Sequence, residues 1–423
     1  MSRTLSLAVL GLIWTAVGTT SVQAQDESLF MRDRNTAVME RERPEYTSDG
    51  IQKGAFIFNP ALTVGLEFND NIYGASSSEE SDIIGIFNPA IDVSTTWSQH
   101  SLSGNLTATR REYADFNDES VWHLQGSAMG RLDIVRGTFV EANVSYADLT
   151  EPRTSAGAAN TAAEPIAYTT DQIGLKGERE MGRTKFQLGV TRSGFDYEDG
   201  ILVGGGVADQ DFRDRSELVY TIRGDYAVSP ATSLFARGRF NTREYDLTPP
   251  AAPLLRDSEG YIADVGADFD IGGVARGSVA VGHIEQDYGD AGLPDIDGFS
   301  TDVVVDWFPT QLTTVTGTAS RGVFDAAVAG SGGFLGTAFG INVDHELRRN
   351  VVVSAGVTWG TDEYFGIDRQ DDRWSATVST TWYMNRNAGV RASVAHFEQE
   401  SSGTDGNQDF SSNVVAVSLV LRP

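Results

Sequence analysis

No cysteine occurs among the 423 residues. That absence removes disulfides, thiolate metal sites, thiol nucleophiles and a lipid-bearing amino-terminal cysteine together, and it suits a chain that crosses an oxidising compartment unfolded. Basic residues are scarce: 32 Lys and Arg stand against 59 Asp and Glu, for a formal net charge of −27. Nucleic acid is therefore set aside as a partner, because a polyanion is repelled and its phosphates need an excess of Lys and Arg. Beyond the amino terminus, no stretch approaches the roughly 20 apolar residues of a transmembrane helix. Catalytic patterns are missing too. The histidines, His100, His123, His283, His345 and His396, fall on different segments, and neither Gly-x-Ser-x-Gly nor His-Glu-x-x-His spacing occurs. We expect no enzyme, no cofactor and no metal site. Acidic runs such as Glu79-Glu80-Ser81-Asp82, Asp287-Tyr288-Gly289-Asp290 and Asp371-Asp372 lack the spacing of a calcium loop and read as solvated, mutually repelling loop tips.

What is present begins with Arg3, an apolar run from Leu5 to Trp14, and the small-residue pattern Val22-Gln23-Ala24. The run is too short to span about 30 Å of hydrocarbon, so residues 1–24 are predicted to be a cleaved export signal. Residues 25–53 are charged and broken, with no apolar periodicity to bury, and are expected to form an extended periplasmic lead-in to a single domain over 54–423.

At Phe56 the pattern changes. Phe56, Phe58, Pro60, Leu62, Val64, Leu66 and Phe68 are apolar at every second position, with Asn59, Thr63 and Glu67 between them. Period two means a strand with one apolar face. A soluble sheet strand usually runs about 5–6 residues, whereas this one has the length that a tilted strand needs to cross a bilayer. The stride recurs along the chain, as in Trp122, Leu124, Ala128 and Leu132; Leu218, Tyr220, Ile222 and Tyr226; Trp374, Ala376, Val378 and Trp382; and Val415, Val417, Leu419 and Leu421. The tally is about 18 strands, with 16 the neighbouring even count, as bacterial barrels have even numbers.

Short connections follow the even strands, among them Ser98-Gln99-His100, Ser229-Pro230 and Asn385-Arg386-Asn387. Long, acidic, Gly-rich ones follow the odd strands, among them 69–82, 151–164, 198–211, 247–258, 361–372 and 400–409. A soluble sandwich or β-helix would explain the alternation but not the strand length, nor all long loops at one end. The pattern predicts an all-β fold: a transmembrane, up-and-down antiparallel β-barrel in the outer membrane, long loops outside the cell and both termini in the periplasm. Its surroundings would be outer-membrane lipid and lipopolysaccharide.

The register opposite the apolar one should line the lumen. It carries Arg111, Arg131, Arg223, Arg237, Arg239 and Arg391, and the acids Glu67, Asp92, Glu141, Asp225, Asp264, Asp268, Asp270, Asp302 and Asp306. Mixed signs read either as a selective constriction or as ordinary paired charges in a water-filled interior. No segment is long and helical enough to be an evident plug; the loops 151–164 and 198–211, rich in small residues, are those most able to fold inward.

Arg41-Glu42-Arg43-Pro44-Glu45-Tyr46, then Gly50-Ile51, Gly54, Phe56, Pro60 and Asn69-Asp70-Asn71-Ile72, resemble the opening signature of an outer-membrane β-barrel porin family. Trp307-Phe308-Pro309-Thr310, Asp371-Asp372-Arg373 and Tyr383-Met384-Asn385-Arg386 are similar to its later parts, so the resemblance runs from about Arg41 to Leu421. Members are often associated with exopolysaccharide or capsule export. The resemblance implies a pore that passes a polysaccharide delivered by a periplasmic export protein. Two other readings stay open: a general diffusion porin for small solutes, and a structural surface barrel whose acidic loops carry the function. The final Leu421-Arg422-Pro423 departs from barrels that end on an aromatic residue.

Overall fold

The computed structural model describes residues 36–155, 162–250, 253–326, 328, 330–406 and 409–423. The predicted export signal and the first part of the lead-in lie outside the described residues. Long strands dominate: β1 (Phe56–Asn69), β2 (Asp82–Thr95), β3 (Ser101–Tyr113), β4 (Val121–Val135), β5 (Thr138–Thr150), β6 (Ala167–Met181), β7 (Thr184–Tyr197), β8 (Arg215–Ser229) and β9 (Thr232–Tyr245) make the first half. The second half holds β10 (Ser258–Ile271), β11 (Ala275–Tyr288), β12 (Ile296–Thr310), β13 (Thr313–Asp325), β14 (Gly333–Arg348), β15 (Val351–Phe365), β16 (Gln370–Tyr383), β17 (Ala388–Ser402) and β18 (Phe410–Leu421).

Each strand pairs antiparallel with the next, and β18 returns to β1 through Leu62 opposite Leu421 and Asn69 opposite Val414. The result is a closed barrel of 18 strands, which leaves no open sheet edge within the wall. Because β18 stops opposite Leu62, the lower edge of β1 would be bare. A short strand, Ile51–Lys53, folds back on Phe56–Phe58 and covers it, and Ser48 Oγ donates to the Pro423 carbonyl at 2.7 Å.

The outer face follows the predicted register: Leu66 is 64% exposed, and its neighbours Val64 and Phe68 also face outward. All six tryptophans among the described residues are on this outer surface. Trp97, Trp307 and Trp382 lie towards one rim, and Trp122, Trp359 and Trp374 towards the other. Two aromatic belts around an apolar band are what a lipid bilayer selects, because an amphipathic ring suits the interface.

The connections alternate in length, so one rim carries short turns and the other long loops. Five of the turns between barrel strands have only two residues, and two of these hold a glycine with positive φ, Gly137 (+70°) and Gly182 (+63°), a conformation that a side chain would strain. One expectation needs correcting. The region 361–372 is not a long loop, because β15 continues through Phe365 and β16 starts at Gln370, with Glu363 paired to Gln370. Beyond the bilayer both strand faces meet water, so the apolar period vanishes while the hydrogen-bonded ladder goes on.

Candidate channel lumen

Register parity divides the inner wall into two arcs. From β3 to β12 it is charged and paired. Arg111 meets Glu67 at 2.7 Å, Arg131 meets Asp133 at 2.9 Å, and Lys176 meets Glu141 at 3.0 Å. Arg223 and Arg237 stand directly opposite each other across β8 and β9, an arrangement that would repel on its own. Acids on both sides neutralise it: Arg223 reaches Asp225 at 2.6 Å and Asp268 at 2.5 Å, while Arg237 reaches Asp264 at 3.0 Å and Asp302 at 2.9 Å. Arg239 shares Asp264 at 3.2 Å. From β13 to β18 the middle of the inner wall is neutral and hydroxylated, with Thr316, Thr318, Ser354, Thr358, Thr377, Ser393 and Ser418 in the inner register and Arg391 as a cation among them.

At the loop rim, β12 and β13 pair only as far as Thr301 opposite Arg321, which leaves Ile296–Ser300 without β13. The tip of the β13–β14 hairpin leaves the wall and folds inward over the mouth. Its Asp325 accepts a hydrogen bond from the Tyr245 hydroxyl on β9 and lies 3.5 Å from both Arg215 and Arg256. Along the wall, β9 and β13 are four strand steps apart, roughly 19 Å at the usual interstrand spacing, so such contact requires the hairpin to turn inward. Its Val323 and Leu335 then pack on Ile284, Tyr288, Leu293 and Ile296 in a buried apolar cluster, and Arg243 donates to the Val323 carbonyl at 3.0 Å. Arg256, 1% exposed, is the pin of this mouth: it donates to Ala326 O at 2.7 Å and Phe212 O at 2.6 Å, and stacks 4.3 Å over the Tyr245 ring.

The outer loops extend this network round the rim. Arg213 holds Glu151 through two hydrogen bonds of 3.0 and 2.7 Å; burial alone would lower the Arg213 pKa, but the Glu151 carboxylate raises it above the ordinary value. Arg153 pairs with Glu119 at 2.5 Å. Asp368 accepts from the Thr404 amide and hydroxyl, both at 3.0 Å, which holds its carboxyl below the usual range. Repulsion acts elsewhere: the exposed carboxylates of Asp199 and Asp209 crowd Asp211, and the Asp199 charge above all pushes its pKa up.

The turn rim is narrowed by the lead-in. Val38, fully buried, sits with Val352 and Tyr383 under Met39 and Tyr46. Its amide donates to Thr314 Oγ1 at 2.9 Å. Arg43 then bridges Val38 O at 2.8 Å and Glu346 at 3.2 Å with both side chains buried, and Glu40 meets Arg276 at 2.7 Å. An extended lead-in with nothing to bury was expected; instead, part of it packs inside the mouth.

The other signature residues are dispersed along this end and the β1–β18 seam. Glu45 faces Arg349 at 3.8 Å, Pro44 follows the buried Arg43, Gly54 (φ +62°) turns the short hairpin, and Pro60 lies in β1. At the loop end of the seam, Asp70 accepts from the amide and side chain of Asn413 at 2.6 and 2.7 Å, and the buried Asn71 donates to Ala75 O and Ser411 O. The loops 151–164 and 198–211 meet each other at the rim, where the Ala163 amide donates to the Ile201 carbonyl at 2.6 Å, but the element anchored over the mouth is the hairpin tip at Asp325 and Ala326. Sequence reasoning missed Arg215, Tyr245, Arg256 and Asp325. One signal was present: Arg256 is a lone cation in a loop otherwise rich in proline and apolar residues.

Residues 43–423 match the model of the family described as Putative beta-barrel porin 2. No curated protein matches the chain in sequence. Among solved structures, the chain is similar to the outer membrane protein OpdK from Pseudomonas aeruginosa, at 10% identity over 86% of this chain and 98% of that one, with a TM-score of 0.44. It is also similar to the ferric enterobactin receptor PfeA from the same organism, at 7% identity over 86% and 80% with a TM-score of 0.44. The siderophore receptor PirA from Acinetobacter baumannii matches at 8% identity over 89% and 81%, with a TM-score of 0.46.

Proposed function

Since the chain belongs to this β-barrel porin family of the outer membrane, we propose that it is a gated, non-enzymatic channel that passes a hydroxyl-rich chain such as an exopolysaccharide. The observation that carries this reading is the neutral, hydroxylated arc of β13–β18. Its small Thr, Ser, Gly and Ala side chains offer exchangeable hydrogen bonds to sugar hydroxyls without a deep binding well, and conduction needs contacts weak enough to leave. The hairpin tip across one mouth and the lead-in across the other support a gate rather than a permanently open pore. A periplasmic export protein acting at the turn rim, and a cleaved export signal, belong to the same reading.

Liposome swelling with saccharides of graded length tests it, using protein from which 326–332 and 36–47 have been removed. Uptake that persists from monosaccharides to long oligomers is the expected result. A sharp cutoff at small sugars would favour a general diffusion porin and overturn the polymer reading.

A further inference from the structure

The arginines described above on the charged arc, from Arg111 to Arg276, each meet a carboxylate within ion-pair distance. In a chain of net charge −27 this is unsurprising. Arg391 and Arg422 differ. Among the described residues, neither side chain has a hydrogen bond or a carboxylate partner, and both lie near the Tyr383 phenol. Both are only partly exposed. Burial draws the Arg422 guanidinium below its usual range, so the protein keeps a desolvated cation there without internal compensation.

The surroundings of Arg391 are polar but uncharged. Across the ladder it stands opposite Thr381 on β16 and Ser418 on β18, with Ser393 one inner-register step away and Gly389 leaving room on the other side. In the register, Glu67 lies on β1 opposite Ala416, and it is already bound to Arg111 at 2.7 Å. A guanidinium presents a planar fork that matches a carboxylate, and the hydroxyls around it match alcohols on the same molecule.

We propose that Arg391, assisted by Arg422, is a binding subsite for the carboxylate of a hydroxylated solute, of the uronic-acid type, inside the lumen near the turn rim. The proposal rests on the channel reading only for how the solute arrives, since binding to the isolated barrel does not require conduction.

The test is ligand-observed NMR on the full chain in detergent, with glucuronate, glucose and inorganic phosphate as probes. Glucuronate should bind roughly tenfold more tightly than glucose, the ratio that one charge-assisted contact supplies. Arg391→Gln should erase that ratio and Arg422→Gln should reduce it, whereas the outer-wall Arg192→Gln should leave it intact. Heat-modifiable migration identifies folded barrels, and Arg422→Gln keeps the test available if Arg391→Gln does not fold. Equal binding of glucuronate and glucose, or an unchanged ratio in folded Arg391→Gln, overturns the subsite. Phosphate binding as tightly as glucuronate overturns the assignment to a hydroxylated carboxylate. Failure of the channel reading would show separately, as absent swelling with glucuronate binding intact.

Discussion

The carboxylate of Asp325, at the end of β13, accepts the hydroxyl hydrogen bond of Tyr245, at the end of β9. Those strands are not neighbours in the wall, and Arg215 and Arg256 close on the same carboxylate from 3.5 Å. One acid on a hairpin tip thus holds three groups from a part of the wall four to five strands away.

Replacing that acid should loosen the mouth without harming the barrel. Asp325→Asn keeps the shape but removes the charge that compensates two buried guanidinium groups, a loss of about 1–3 kcal/mol. In protein lacking 36–47, where the hairpin is the remaining closure, we predict a roughly tenfold rise in channel openings in planar bilayers, with unchanged heat-modifiable migration. Unchanged opening would mean that the hairpin is held by its apolar cluster alone.

At the other mouth, Arg43 and Glu346 form a pair with side chains only 4% and 6% exposed. Removing one partner strands the other, which costs about 3–5 kcal/mol. Glu346→Leu should therefore free the lead-in, and trypsin added from the turn side should cut after Arg41. Combining it with Arg43→Met should restore much of the protection; cleavage that stays equal in the single and double variants would contradict a stranded charge.

The lipid face is tested at Leu66, which lies in mid-band on β1 and is 64% exposed. Leu66→Arg should cost about 2–4 kcal/mol of membrane stability and lower the yield of folded barrel. Thr377→Arg, in the inner register of β16, should fold normally and shift ion selectivity towards anions. Equal folding yields would place the register the wrong way round.

Two loop carboxylates predict opposite responses to acid. Asp368 has a lowered pKa, so its contribution is present above the ordinary carboxylate value of about 4 and is lost as pH falls through its lower folded value. Asp211 has a raised pKa, so its protonated form is favoured in the fold and its unfavourable contribution appears as pH rises through that value. Below about pH 4, loop 403–409 should loosen while loop 198–214 tightens, as read by pepsin cleavage between pH 2 and about 5. Asp368→Asn should abolish the first change and leave the second.

The barrel itself was legible because its signals are local. Alternation along Phe56–Phe68 declares a strand, and the parity of connection lengths declares its neighbours, so count and closure follow without long-range information. The mouths were not legible. Val38 belongs to a run of three apolar residues, Ala37-Val38-Met39, in a charged segment, too short to show a period, although it is fully buried. Asp325 and Tyr245 are 80 positions apart, and nothing near either names the other. Polar strand ends such as Thr361–Glu363 looked like loop because water removes the demand for an apolar face. The inner-register charges were readable as a set, but their pairing depends on cross-strand register, as with Arg237 and Asp264.

The most direct test of the account is single-channel conductance of four forms: the intact protein, the protein lacking 326–332, the protein lacking 36–47, and the protein lacking both. Two closures in series predict a low, flickering conductance in the first three and a large, steady one in the fourth. A large, steady conductance in the intact protein, equal to that of the double deletion, would contradict it.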